Sequence, residues 1–218
     1  GNSRKDFKRQ MEAARDVARL GGTKLETRTA PVLFPARVAR GLIGHLLSAI
    51  SGGALYRKSS FLVDALGKPV FASRVTIDEK PHLPKALNSA PFDNEGVETT
   101  ERRLVDGGVL GGYLLGSYYA RKLGMQTTGN AGGAHNLVVH DTGQSFAELL
   151  KMMGTGLVVA DLMGSGVNPV TGDYSRGASG FWVENGAIQY PVTEITIAGN
   201  LKDMYQHILG IGTDLDKR

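Results

Sequence analysis

The chain has 218 residues, 41% of them hydrophobic, which is enough apolar mass for one large domain or two small ones. Cysteine is absent, which removes disulfides and thiolate chemistry, and no apolar run reaches the roughly 18 residues that span a bilayer. The net charge of +4 is scattered, with small clusters at Arg4–Arg9 and Arg57-Lys58 and no interleaving of bases with aromatics, so a solvated surface is expected and no nucleic-acid partner.

Phe7, Met11, Ala14 and Ala18 fall at helical spacing, and Gly21-Gly22 ends the run. Thr29 to Phe34 reads as a strand. Pro35 opens a second helix with Val38, Leu42, Leu46 and Ala49 on one face, which Ser51-Gly52-Gly53 stops. Its wide apolar girth predicts a buried helix. Val70-Phe71 and Val75-Thr76-Ile77 are short strand candidates, and Pro81 to Pro91 is an irregular loop. Asp106-Gly107-Gly108 between Val97–Val105 and Val109–Ser117 is a hairpin signal. Tyr118 to Leu123 reads as a helical turn closed by Gly124, followed by a polar, glycine-rich loop over Thr127–Gly133.

Ser145 and Glu148 form a capping-box pattern for a helix reaching Met153. Leu157 to Leu162 is a buried strand. Phe181–Glu184 and Ala187–Tyr190 surround Asn185-Gly186, a pair suited to a type I′ turn. Ile195 to Ile197 is a further strand, and Asn200 caps a helix running through His207. Strands outnumber helices and are mostly hairpin-linked, and the 30 glycines, many in pairs, add turns and bulges. The expected fold is α+β: a glycine-rich, mostly antiparallel sheet with a buried helix and flanking helices.

Few constellations carry chemistry. His135 and His140 are the close histidine pair, but an odd spacing along a strand places them on opposite faces, so a shared metal is not expected. His45, in the apolar helix, reads as a hydrogen-bonded core residue. Thr171 to Ala178 is dense in polar groups. Tyr174, Ser175 and Arg176 could bind a carboxylate or a peptide backbone, although a turn is the preferred reading. A nucleophilic role for Ser175 or Tyr174 lacks a base nearby in sequence. Arg57, Lys58, Ser59 and Ser60 suit a partner contact and a solvated loop equally. The Thr128–Gly133 loop lacks the Lys-Ser/Thr ending of a phosphate-binding loop.

Taken as whole strings, several segments resemble the PmbA (TldE) branch of the TldD/PmbA family. They are His45–Ser60, Pro91–Val97, Tyr118–Gly124, Thr171–Gly177, Phe181–Gly186 and Glu194–Asn200. The match covers nearly everything after Pro31. It implies the C-terminal domain of a protein about twice this length, with residues 1–30 as a connecting helix and entry. It also implies a further stretch beyond Arg218. The family's TldD-type subunit carries a His-Glu-x-x-x-His zinc motif and a downstream Cys. With Ser59-Ser60 as anchor, the motif falls on Ile43, Gly44 and Ser48, none of which can perform zinc chemistry.

The resemblance therefore implies a non-catalytic subunit of a cytoplasmic heterodimeric metalloprotease that degrades or processes unfolded peptides. No cofactor is expected in this chain, and zinc is expected in a TldD-type partner. Arg57, Lys58, Ser59, Asn130, Tyr174, Ser175 and Arg176 are the candidate peptide- or partner-binding residues. Self-association in the partner's absence is compatible with a face shaped for a similar subunit. The alternative is a regulatory module, a modulator of DNA gyrase without proteolysis.

Overall fold

The computed structural model describes residues 23–214 of the chain. The expected helix over Phe7–Ala18, with its Gly21-Gly22 stop, lies outside the described residues.

Pro35, with φ −57° and ψ 153°, fixes the chain direction just before helix α1, Ala36–Ala49. Strand β1, the pair Val32–Leu33, lies just upstream. Only Leu46 and Ala49 of α1 are buried, so the fully buried helix expected from its girth is corrected. Val38 packs on one apolar cluster, with Leu157, Val159 and Trp182. Leu46 and Ala49 sit in another, with Leu104, Leu110 and Tyr205. Arg37, Arg40, Gly44 and Ser48 face outward.

Gly52 and Gly53 do not simply stop this helix. They begin a second, α2 (Gly52–Tyr56), behind an N-cap at Ser51. A Cβ on Gly52 would lie 2.7 Å from the Cβ of Tyr119 in helix α3, Ser117–Lys122. The glycine permits two helices to touch, a tertiary demand that local punctuation rules do not capture.

Two four-stranded sheets organise the described residues. One runs β1-β6-β7-β8, where β6 is Gly156–Met163, β7 is Asp173–Glu184 and β8 is Ala187–Asn200. Only the β1–β6 pairing in it is parallel. The other runs β4-β3-β2-β5, all antiparallel, from Ile77–Glu79 (β2), Arg102–Asp106 (β3), Val109–Leu110 (β4) and Leu137–Val139 (β5). The α+β, mainly antiparallel architecture is thus as expected. Asn185 (φ 51°) with Gly186 (φ 71°), and Gly107 (φ 53°) with Gly108 (φ 84°), make the two predicted hairpin turns. Val70-Phe71 forms no strand; both amides donate to the Gly108 carbonyl.

In β6, Leu157 and Val159 point to one face, and Val158 and Ala160 to the other. Helix α4 (Phe146–Met153) covers the second face through Phe146, Leu150 and Met153. Its capping box is complete: Ser145 Oγ accepts from the Glu148 amide at 3.3 Å, and Glu148 Oε2 accepts from the Ser145 amide at 2.7 Å. Ser145→Ala should cost about 1 kcal/mol of stability, read as a shift of the denaturant midpoint at constant slope. Helix α5 (Leu201–Gln206) follows Asn200, whose side chain accepts from the Lys202 amide as expected.

Candidate functional site

The segment expected to be a turn at Thr171–Ala178 is instead mostly strand. Thr171-Gly172 belongs to the turn, and β7 then pairs with β8 from Asp173↔Asn200 to Glu184↔Ala187, with register shifts between Ala178 and Gly180 and between Trp182 and Val183. Those long-range backbone pairings outweigh the polar local composition. Alternation along β7 separates the predicted trio. Tyr174 and Arg176 point inward toward α1, whereas Ser175 is exposed on the other face.

Tyr174 is 2% exposed and meets the His45 ring edge-on, with centroids 6.2 Å apart. His45 therefore leaves the core role assigned to it. It is half-buried and, with Ser48, Ser165 and Arg176, lines an open cavity of about 380 Å³ whose remaining walls are Ala49, Phe61, Gly164, Val167 and Pro169. Burial, reinforced by the Arg176 charge, pushes the imidazole pKa below its ordinary value. Burial raises the Tyr174 phenol, only partly offset by Arg176. The Tyr174 hydroxyl and Arg176 Nε are buried and miss the geometry of a full hydrogen bond, but the Arg176 guanidinium lies close enough to the phenol oxygen to favour its ionised form.

The cavity walls are fixed by backbone. The Ser175 amide donates to the Gly166 carbonyl at 2.6 Å, Val167 bridges Tyr174, and the Phe61 amide donates to Pro169. A Cβ on Gly166 would stand 1.9 Å from the Ser175 carbonyl oxygen, so only glycine allows this approach.

The other candidates lie apart from the cavity. Arg57 and Lys58 are exposed at the end of α2, and the Ser59 hydroxyl donates to Ala54. Asn130 is buried in a polar network on the second sheet. Its Nδ2 donates to Glu79 Oε1 at 2.7 Å, and its Oδ1 accepts from Arg102 Nη2 at 2.8 Å. Glu79 also accepts from Arg102 Nε at 2.7 Å and from the His135 amide at 2.9 Å. Nothing in sequence marked Glu79, which sits between Asp78 and Lys80 like a surface residue. The two close histidines part as expected: His135 meets Glu79, while His140 meets Asp78, its neighbour on the opposite face of β2.

Ile43, Gly44 and Ser48 on α1, the positions to which the resemblance would assign the zinc motif, do not fit a zinc ion. Ile43 packs against the core, Gly44 is exposed, and the Ser48 hydroxyl donates to the Gly44 carbonyl at 3.0 Å. Among the described residues no group of three or more His, Cys, Asp or Glu side chains is placed to hold a metal.

Residues 27–218 match the model of the PmbA/TldA metallopeptidase C-terminal domain. The chain belongs to the PmbA/TldD family. It is 58% identical to the metalloprotease PmbA of Escherichia coli O157:H7, over 94% of this chain and 46% of that protein. A solved structure from Bacteroides thetaiotaomicron, described as a candidate modulator of DNA gyrase, superposes with TM-score 0.88 at 32% identity. It covers 94% of this chain and 46% of its own. A metalloprotease TldD homolog of Haemophilus influenzae is 27% identical, over 89% of this chain and 44% of that protein. The chain thus spans about half the length of the family members it matches. Among the described residues no helix is long and apolar enough to cross a membrane.

Proposed function

We propose that this chain is the PmbA-type, metal-free part of a two-subunit metalloprotease that acts on unfolded peptides, with zinc held by a TldD-type partner. The observation that carries the proposal is the state of α1. Where the resemblance would align the zinc motif stand a core isoleucine, a bare glycine and a serine bonded to its own helix. The ranking of relatives agrees, with 58% identity to a PmbA and 27% to a TldD homolog. The chain's own residues would then bind and orient peptide. The cavity beside Arg176 is the concave site, and a cysteine-free chain suits a reducing cytoplasm.

The test is co-expression of the full-length protein with a TldD-type subunit, followed by cleavage of an unstructured peptide. Cleavage is expected from the pair and not from this protein alone. Full-rate cleavage by this protein alone would contradict the reading. The alternative, gyrase modulation without proteolysis, rests on the description of the Bacteroides structure. Copurification of intact gyrase without a TldD-type subunit would favour it.

A further inference from the structure

We infer that the cavity between α1 and β7 is a carboxylate site, and that the carboxylate is the C-terminus of a peptide whose last side chain is apolar. The peptide half of this inference rests on the function proposed above; the carboxylate half stands on geometry.

Arg176 lines the cavity and forms no ion pair with a carboxylate among the described residues, and its Nε is buried without a partner. The Tyr174 hydroxyl lies beside this guanidinium, behind the cavity wall rather than in its lining. Buried donors in folded proteins are almost always paired, and a guanidinium presents its donors as a planar fork. A guanidinium in the cavity wall with no carboxylate partner among the described residues calls for an acceptor with more than one oxygen, and a carboxylate matches its fork.

The charge narrows the ligand. His45 is held toward its neutral form by burial and by Arg176, leaving one positive charge on the cavity wall. One guanidinium balances one carboxylate but leaves a phosphate dianion half-neutralised. Ala49, Phe61, Val167 and Pro169 give the lining an apolar side, next to Ser48, Gly164 and Ser165. That surface suits an apolar side chain next to the carboxylate. An internal Glu or Asp would instead bring polar peptide units on both sides. The Gly166–Ser175 bond fixes the walls before a ligand arrives, so little ordering is needed on binding.

The experiment is calorimetric titration of the full-length protein, without partner subunit, using three versions of one short peptide ending in Leu. One has a free C-terminus, one is amidated, and one is amidated with an internal Glu. The free acid should bind about tenfold more tightly than the amide, as expected for charge-assisted bonds. Arg176→Met should remove that difference, with a thermal melt confirming that the variant folds. If the variant does not fold, the acid–amide comparison on the unaltered protein decides. Equal affinity for acid and amide, or no binding of any of the three, overturns the site. If the amidated Glu peptide equals the free acid, the carboxylate site stands and its assignment to a peptide terminus is overturned. Because no partner is present, failure of assembly or cleavage in the earlier test does not bear on this result.

Discussion

Glu79→Ala is expected to lower the stability of the chain by about 3–5 kcal/mol. The Glu79 side chain is 2% exposed and that of Arg102 19%, so removing the carboxylate strands a largely desolvated guanidinium. The same change orphans donors from Asn130 and the His135 amide. Replacing both charges should hurt less than removing one: Glu79→Leu with Arg102→Met should be more stable than Glu79→Ala alone. Equilibrium unfolding of the three proteins checks this, and a double variant less stable than the single one would refute the coupling.

The same network sets the acid limb. Burial pushes the Glu79 carboxyl up, but the His135 amide, the Arg102 charge and the Asn130 amide outweigh it, and its pKa falls below the ordinary value. Asp93 is likewise lowered: burial opposes the shift, and the amides of Ala131, Val97 and Glu95 prevail. A depressed folded pKa means that the unfolded chain binds more protons in this window, so stability rises with pH. The contribution is fully present above about pH 4.5 and disappears as pH falls through the depressed folded values. Glu79→Ala should therefore flatten the pH dependence of stability below that point as well as lower its plateau.

Gly180→Ala is expected to cost about 3 kcal/mol, a large effect for one methyl group. Gly180 lies where β7 shifts register against both β6 and β8. A Cβ there would stand 2.1 Å from the Val158 carbonyl oxygen. Val158 and Val159 are fully buried on opposite faces of β6, so that strand has no free direction in which to yield. Gly44→Ala is the contrast. Gly44 is helical, exposed, and has nothing within 4 Å of a built Cβ, so the change should stabilise by up to about 1 kcal/mol. Thermal melts of the two variants should move in opposite directions; melts that move together would show that crowding at Gly180 is not the cause.

What could be read from the residues was local. Asn185-Gly186, Asp106-Gly107-Gly108, the Ser145–Glu148 box and the Asn200 cap each act within a few positions, and each forms as its chemistry requires. What escaped was set by distant pairing. Thr171–Arg176 is polar and glycine-bearing, yet the backbone of β8 draws most of it into a strand. That strand separates Ser175 from Tyr174 and brings Tyr174 to His45, whose positions in the sequence lie far apart. Glu79 carries no local mark of burial because its partners, Arg102, Asn130 and His135, come from other parts of the chain. Glycine spacing alone could not separate a helix stop at Gly52 from a helix contact with Tyr119.

The proposed function requires that α1, beside the Arg176 cavity, binds no metal of its own. Zinc determination on the isolated full-length protein, purified after expression in zinc-supplemented medium, tests it most directly. Far less than one zinc per chain is expected, with about one per heterodimer appearing only when a TldD-type subunit is present. One tightly held zinc in the isolated protein, retained through dialysis and lost in Ser48→Ala, would contradict it.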